Sequence, residues 1–488
     1  MTSTASFLWH DYETFGRDPT RERPVQFAAI RTDENLEEVD DGTMIYCRQT
    51  PDYLPDPESC LVHGVLPQLA NEKGMGEWEF ATTIHQLMMT PGTCTVGYNN
   101  IRFDDEFTRQ LLFRNLFDPY SREWRNGNSR WDLIDVVRLT RALRPDGIEW
   151  PLDADNKPSN KLELITSANG IAHSDAHDAL ADVRATIAVA KLLKQNQPRL
   201  FDYVYKARSK KWILNNALDL VNQTPVLHIS GMYPASCGHL SMVIPLGPYP
   251  TNPNGVMVYD LRHDPVDLIK LSAEQLTTRI FTRAADLPEG INRIAVKTIH
   301  ANRSPVIVPV KTLDEVSARR WDLDRNLCME HREKLLAATD VMEKLTQVFT
   351  SHDKPVQEDP ELTLYTGQFA NNRDKNMMES LQKKFGEQKS NSSPFNDQNI
   401  TFDDHRLNEL YFRLNARNWP ELLDNQTGHK WRDFCHKRVH LGQDGFRSIT
   451  EYRESIEAMA VAAASQTEVD RVNLLREYGD EVANFSTA

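Results

Sequence analysis

The stretch Phe7-Leu-Trp-His-Asp-Tyr-Glu-Thr-Phe-Gly16 reads as a strand that enters the core on aromatic and aliphatic residues and then meets two acids. Asp11 and Glu13 are two residues apart. On a strand that spacing sends both side chains to one face, roughly 7 Å apart along the backbone. Two like charges on one face repel unless a cation lies between them. An isolated D-x-E on an exposed edge strand would simply be solvated, so the meaning of the pair depends on what other segments bring to it.

Working outward, residues 7–12, 26–31, 43–47, 93–98 and 133–137 read as strands, and 79–87, 106–115, 161–169 and 176–195 as helices. This alternation predicts one α/β domain over residues 1–197, closed by Gln195-Asn-Gln-Pro198. Residues 225–231, 240–246, 255–261 and 293–310 are β-rich and punctuated by Gly, Pro and Asn, which predicts a small barrel or twisted sheet. Helical periodicity over 319–350 completes that second domain, 198–352. Lys354-Pro-Val-Gln-Glu-Asp-Pro360 reads as a linker into a third, helical domain, 353–488, with helices over 407–415, 429–439, 448–464 and 468–485 and a polar stretch at 388–397.

A chain of 488 residues is too long for a single core, which agrees with several domains. No apolar run approaches the roughly 18 residues of a membrane span, and Met1 to Ser6 lacks the features of a signal peptide, so a cytoplasmic protein is expected. Six cysteines without a C-x-x-C pair argue for reduced core thiols rather than a zinc site or a disulfide framework. The net charge of −14 is unpromising for phosphate binding, yet it is uneven. Residues 199–350 carry 19 Lys plus Arg against 16 Asp plus Glu, so the acid excess lies elsewhere, where metal ligands would account for part of it.

Two further segments carry acids that an apolar pattern does not require. In Gly97-Tyr-Asn-Asn-Ile-Arg-Phe-Asp-Asp-Glu106 the chain leaves a strand and enters a helix, placing Asp104 at the mouth of the sheet. Asp104 or Asp105 there also fits an N-cap. In His173-Ser-Asp-Ala-His-Asp-Ala-Leu-Ala-Asp182, His177 and Asp182 are five apart, about 140° on an ideal helix, so they do not share a face. His177 is therefore expected in, or just before, the first turn. Asp178 and Asp182 are i,i+4 neighbours, and spacing alone leaves both open as ligands.

Four carboxylates and a histidine in this order within one α/β domain suit two hard cations. Mg²⁺ and Mn²⁺ prefer carboxylate and water oxygen, and a pair of them can hold the attacking and leaving oxygens of a phosphodiester in line. A histidine with an ordinary pKa of about 6.5 suits general-base work on the attacking water.

The pattern Asp11-x-Glu13, Asp104, His177-x-x-x-x-Asp182 resembles the DEDDh exonucleases. The segments His10-Asp-Tyr-Glu-Thr-Phe-Gly16, Pro24-x-Gln-Phe-Ala-Ala-Ile-Arg-Thr-Asp33, Asn128-Ser-Arg-Trp-Asp-Leu133 and Ala168-Asn-Gly-Ile171 narrow the resemblance to the bacterial exonuclease I family, which degrades single-stranded DNA from the 3′ end. Gln197-Pro-Arg-Leu-Phe-Asp-Tyr203, His228-x-Ser-Gly-Met232 and Tyr411-Phe-Arg-Leu-Asn-Ala-Arg-Asn418 extend it to nearly the whole chain. It implies an α/β ribonuclease H-like exonuclease domain with a mixed sheet and flanking helices, then a β-rich SH3-like barrel domain and a C-terminal helical domain. It also implies a Mg²⁺-dependent phosphodiester hydrolase, with Mn²⁺ a possible substitute, that releases 5′-mononucleotides and serves DNA repair and recombination.

Residue by residue, the resemblance assigns metal binding to Asp11, Glu13, Asp104 and Asp182, favouring Asp182 over Asp178, and makes His177 the base. It places Glu13, Lys161, Arg109, Tyr120, Trp124, Arg138, Lys297 and Asn302 on the substrate path. Lys161 stands where the family has arginine, keeping the charge but losing bidentate geometry. Stacking rings interleaved with arginine suit sequence-tolerant strand binding. Arg144, Tyr203 and Arg325 fall on the surface where the family docks the acidic tail of the single-strand-binding protein, whereas Thr224, Pro309 and Asp314 replace basic positions there. A monomer is expected.

Overall fold

The strand that carries the acidic pair is buried on both faces from Phe7 to His10 and is half-open at Asp11 and Glu13. In the computed structural model, which describes residues 6–173, 178–350, 357–387 and 400–487, this strand is β1 (Ser6–Thr14). It pairs antiparallel with β2 (Pro24–Thr32), which pairs antiparallel with β3 (Thr43–Tyr46), and parallel with β4 (Thr93–Gly97). The β1–β2 register sets Asp11 opposite Ala28 and Glu13 opposite Gln26, and shifts between Glu13 and Thr14.

The described residues pack as two units. The first comprises those of Met1–Asn128, Ser174–Arg184 and Pro355–Ala488; the second, those of Ser129–His173 and Ala185–Lys354. Within the first, the strand order is β3-β2-β1-β4, a mixed sheet covered by helices Glu77–Met89 and Asp104–Arg114. Leu8, Tyr12, Phe27, Phe80, Ile84 and Leu111 form the core between them. The C-terminal helices His405–Asn418, Asn425–Leu441, Ile449–Ala462 and Gln466–Phe485 belong to the same unit; the last two start on Ser448 and Ser465 with complete capping boxes. A buried ionic cluster joins early and late sequence: Asp52 accepts from Arg417 at 2.8 Å, Arg438 at 3.0 Å and Arg23 at 3.4 Å, and Glu361 meets the same three arginines.

In the second unit, β5 (Ser129–Asp132) leads into helix Leu133–Leu143. This corrects the expected strand at 133–137. The β-branched Val136-Val137 suggested a strand, but Asp132 accepts the N–H of Ile134 at 3.1 Å as an N-cap, and Leu133, Val136, Val137 and Thr140 bury a helical stripe. The unit also holds β6 (Val226–Ile229), β7 (Leu240–Pro248), β8 (Gly255–Asp260), β9 (Val296–His300) and β10 (Val306–Pro309). They form an antiparallel sheet ordered β10-β6-β7-β8-β9 around Val243, Val258, Ile299 and Ile307. Its ladder slips between Pro245 and Gly247, as expected where a proline supplies no N–H. The architecture is the expected one: an α/β domain with a mixed sheet, a β-rich domain with an antiparallel sheet and a helical C-terminal region. Five cysteines are buried and Cys237 half-buried, all as free thiols. Among the described residues no helix is long and apolar enough to cross a membrane. The polar stretch 388–397 and the first three residues of the expected linker, 354–356, lie outside the described residues.

Candidate active site

Asp11 and Glu13 project from β1, and helix Ala179–Asn196 brings Asp182 to them: one carboxylate oxygen from each lies within 4.8 Å of the other two. Asp104 arrives differently. β4 pairs with β1 only from Ser6 to Trp9, so the backbone of Tyr12 lies beyond that ladder. The N–H of Tyr12 donates instead to Asp104 Oδ1 at 3.2 Å. Gly97 permits the turn between them, since a Cβ there would lie 2.9 Å from the carbonyl oxygen of His10. Asp104 is the first residue of helix Asp104–Arg114 rather than its cap, the N-cap being Phe103, and is 3% exposed. Thr108 donates to Asp104 O at 2.8 Å and meets Tyr12 Oη at 3.0 Å, so the hydroxyl of Tyr12 is the donor in that pair.

The electrostatics follow from this crowding. Burial first, then the charges of Asp104, Glu13 and Asp182, push Asp11 well above the ordinary carboxylate range, against the N–H of Tyr12 that lowers it. Glu13 is pushed up to about 8, by burial and then by Asp182, Asp104 and Asp178. At the 4.8 Å limit two full charges repel by about 3–4 kcal/mol for an effective dielectric of about 20. Protons or cations must offset that, and a site made of carboxylate oxygens suits hard divalent cations.

Asp178 is not part of the group. Its Oδ1 accepts from Leu180 N–H at 3.1 Å and Ala181 N–H at 3.2 Å, which is N-cap geometry. His177 lies outside the described residues.

Of the residues expected along a substrate path, Trp124 is 66% exposed in the first unit. Tyr120 is half-buried with Arg109 5.4 Å from its ring centre. Arg109 itself is buried, gripped by Glu123 at 2.7 and 3.0 Å and by Glu106 at 2.8 Å, so it supports the Tyr120 ring from below. Two aromatic residues passed over in the sequence join them. Phe369, 79% exposed, sets its ring edge-on to Tyr120 at 6.0 Å, and Tyr365 Oη donates to Glu106. An isolated aromatic in the polar run Tyr365-Thr-Gly-Gln-Phe-Ala-Asn-Asn372 was the available signal. In the second unit Lys161 is exposed at a helix start, Arg138 pairs with Asp135 at 2.6 Å, Lys297 Nζ lies 3.3 Å from the Tyr233 ring centre, and the carbonyl of Asn302 accepts from Arg130 at 2.9 Å.

The fold places the chain among the exonucleases. Residues 8–190 match the family described as Exonuclease, 208–351 the Exonuclease I SH3-like domain and 358–482 the Exonuclease I C-terminal domain. The chain is 40% identical to exodeoxyribonuclease I of Haemophilus influenzae over 98% of its own length and 99% of that protein's. The structure of a moderately thermophilic exonuclease I from Methylocaldum szegediense matches with a TM-score of 0.92 at 45% identity, covering 98% of this chain and 100% of that one. A zinc-bound E. coli exonuclease I complexed with single-stranded DNA matches with a TM-score of 0.92 at 38% identity and the same coverage. The chain therefore belongs to the exodeoxyribonuclease I family of nuclease hydrolases.

Proposed function

We propose that the chain trims single-stranded DNA from its 3′ end, releasing 5′-mononucleotides in a reaction that depends on divalent cations. The observation carrying this reading is the convergence of Asp11, Glu13 and Asp182 within 4.8 Å in a chain of this family. The donor set fits Mg²⁺, with Mn²⁺ as substitute: Asp11, Glu13, Asp104 and Asp182 would hold two ions. Bound there, the ions supply Lewis-acid polarisation of the scissile phosphate and neutralise charge on the attacking and leaving oxygens. His177 takes a proton from the attacking water as its oxygen bonds to phosphorus and the bond to the 3′ oxygen of the preceding nucleotide breaks. The DNA and the zinc ion in the E. coli relative support both the substrate and the cation dependence.

Trp124, Tyr120 and Phe369 offer ring faces and edges to bases, and Lys161, Arg138, Lys297 and Asn302 offer polar contacts to the strand. Docking of the single-strand-binding protein tail on Arg144, Tyr203 and Arg325 belongs to the same reading, tempered because Arg144 lies 3.5 Å from Asp314 and Arg325 3.1 Å from Glu315. We infer a cytoplasmic monomer serving repair and recombination. Glu13→Gln and Asp182→Asn should each lower hydrolysis at saturating Mg²⁺ at least about 100-fold; near-normal rates in either variant overturn the reading.

A further inference from the structure

The helix that carries Asp182 has its first N–H groups accounted for, one of them by a residue far away in sequence. Asp178 Oδ1 takes those of Leu180 and Ala181, and the carbonyl of Asp178 takes that of Asp182 at 3.0 Å. The N–H of Ala179 donates to Oε1 of Gln26 at 3.5 Å. Gln26 lies on β2, 1% exposed, and its Nε2 donates to Tyr46 Oη on β3 at 2.9 Å. The carboxamide thus bridges β3 and the helix, with a short hydrogen bond at Tyr46 and a long one at Ala179. In register it stands directly opposite Glu13, and directly opposed residues of an antiparallel pair point to the same face. The tether therefore leaves the sheet at the rung of Glu13 and reaches the helix three residues before Asp182.

Helix-start donors are ordinarily met by a local cap or by water. A buried glutamine spanning from β2 to the helix ties the element that carries Asp182 to the strand paired, at the rung of Glu13, with β1. We propose that Gln26 is a positioning residue for that site: it locks the helix start against β2 and so sets the separation of Asp182 from Glu13 across which cations are held. The inference rests on the cation-dependent reading above.

The test uses the full chain. Gln26→Leu removes both polar ends at similar volume, and Gln26→Glu keeps an acceptor for the N–H of Ala179. Mn²⁺ binding is measured by titration calorimetry, and hydrolysis of a single-stranded oligonucleotide is followed across Mg²⁺ concentrations. Gln26→Leu should weaken Mn²⁺ binding and raise the Mg²⁺ concentration for half-maximal rate about tenfold. The oligonucleotide KM should stay within about twofold, and Gln26→Glu should recover most of the loss. If Gln26→Leu does not fold, Tyr46→Phe, which frees one end of the carboxamide, should shift both cation readouts in the same direction by about two- to threefold. A lowered melting temperature with unchanged Mn²⁺ affinity and Mg²⁺ requirement overturns the proposal and leaves Gln26 a core residue. Asp182→Asn, run alongside, separates the two readings: undiminished hydrolysis there would defeat the metal site itself rather than the role of Gln26.

Discussion

The backbone N–H of Tyr12 donates to the carboxylate of Asp104 at 3.2 Å, so the strand that bears Asp11 and Glu13 is stitched to the helix that bears Asp104 through the residue between the two acids. Asparagine keeps an acceptor for that N–H but removes a charge that raises the pKa of both Asp11 and Glu13. Asp104→Asn should therefore lose at least about 100-fold in hydrolysis. In EDTA it should melt no lower than the parent chain. Activity assays and thermal denaturation of one preparation check both halves, and a large loss of stability would mean that the carboxylate is needed for folding.

Cation binding should become more stabilising as pH rises. Glu13 is pushed up to about 8 in the folded chain, against about 4.3 unfolded. The folded state then holds the extra proton between those values, so the associated stability is full below about pH 4 and is lost as pH rises through about 8. A divalent cation replaces the proton. The melting-temperature increase on adding Mg²⁺ should be larger at pH 8.5 than at pH 6, and an equal increase at both would contradict the electrostatic account.

Asp178 and Asp182 should separate cleanly. Asp178→Asn retains a good N-cap and should keep hydrolysis within about threefold, while Asp182→Asn should abolish it. Comparable losses in both would assign Asp178 to the chemistry.

Removing Asp52 should unfold the chain before it affects the chemistry. Burial alone would raise its pKa, but Arg417, Arg23 and Arg438 outweigh burial and hold it far below the ordinary value. Asp52→Ala leaves those guanidinium groups uncompensated and should cost about 3–5 kcal/mol, read by urea denaturation. Because the folded pKa is depressed, the contribution of Asp52 in the parent chain is present above about pH 4 and lost as pH falls below it.

Trp124 is 66% exposed, so its loss should spare the fold. Trp124→Ala should raise the KM for a single-stranded oligonucleotide about tenfold, as expected for one stacking contact, with kcat and melting temperature unchanged. An unchanged KM would remove Trp124 from the substrate path.

The acidic pair was legible because a period of two needs no tertiary information: residues 11 and 13 of any strand share a face. Spacing alone does not choose between Asp178 and Asp182, and the choice of Asp182 comes from the family resemblance; that Asp178 caps the helix shows only in its hydrogen bonds. At 133–137 the β-branched pair favours a strand locally, whereas the cap at Asp132 and the burial of one stripe select a helix. Gln26 reaches a residue 153 positions away, and Asp52 pairs with Arg417 across 365, distances at which no local pattern carries a signal.

The most direct measurement of the central claim is digestion of 3′- and 5′-labelled single and double strands by the full chain, with Mg²⁺ and with EDTA. The account predicts that the 3′ label is released first, as a mononucleotide, from single strands only, and that EDTA stops the release. Cleavage that starts at the 5′ end, prefers duplex or persists in EDTA would contradict it.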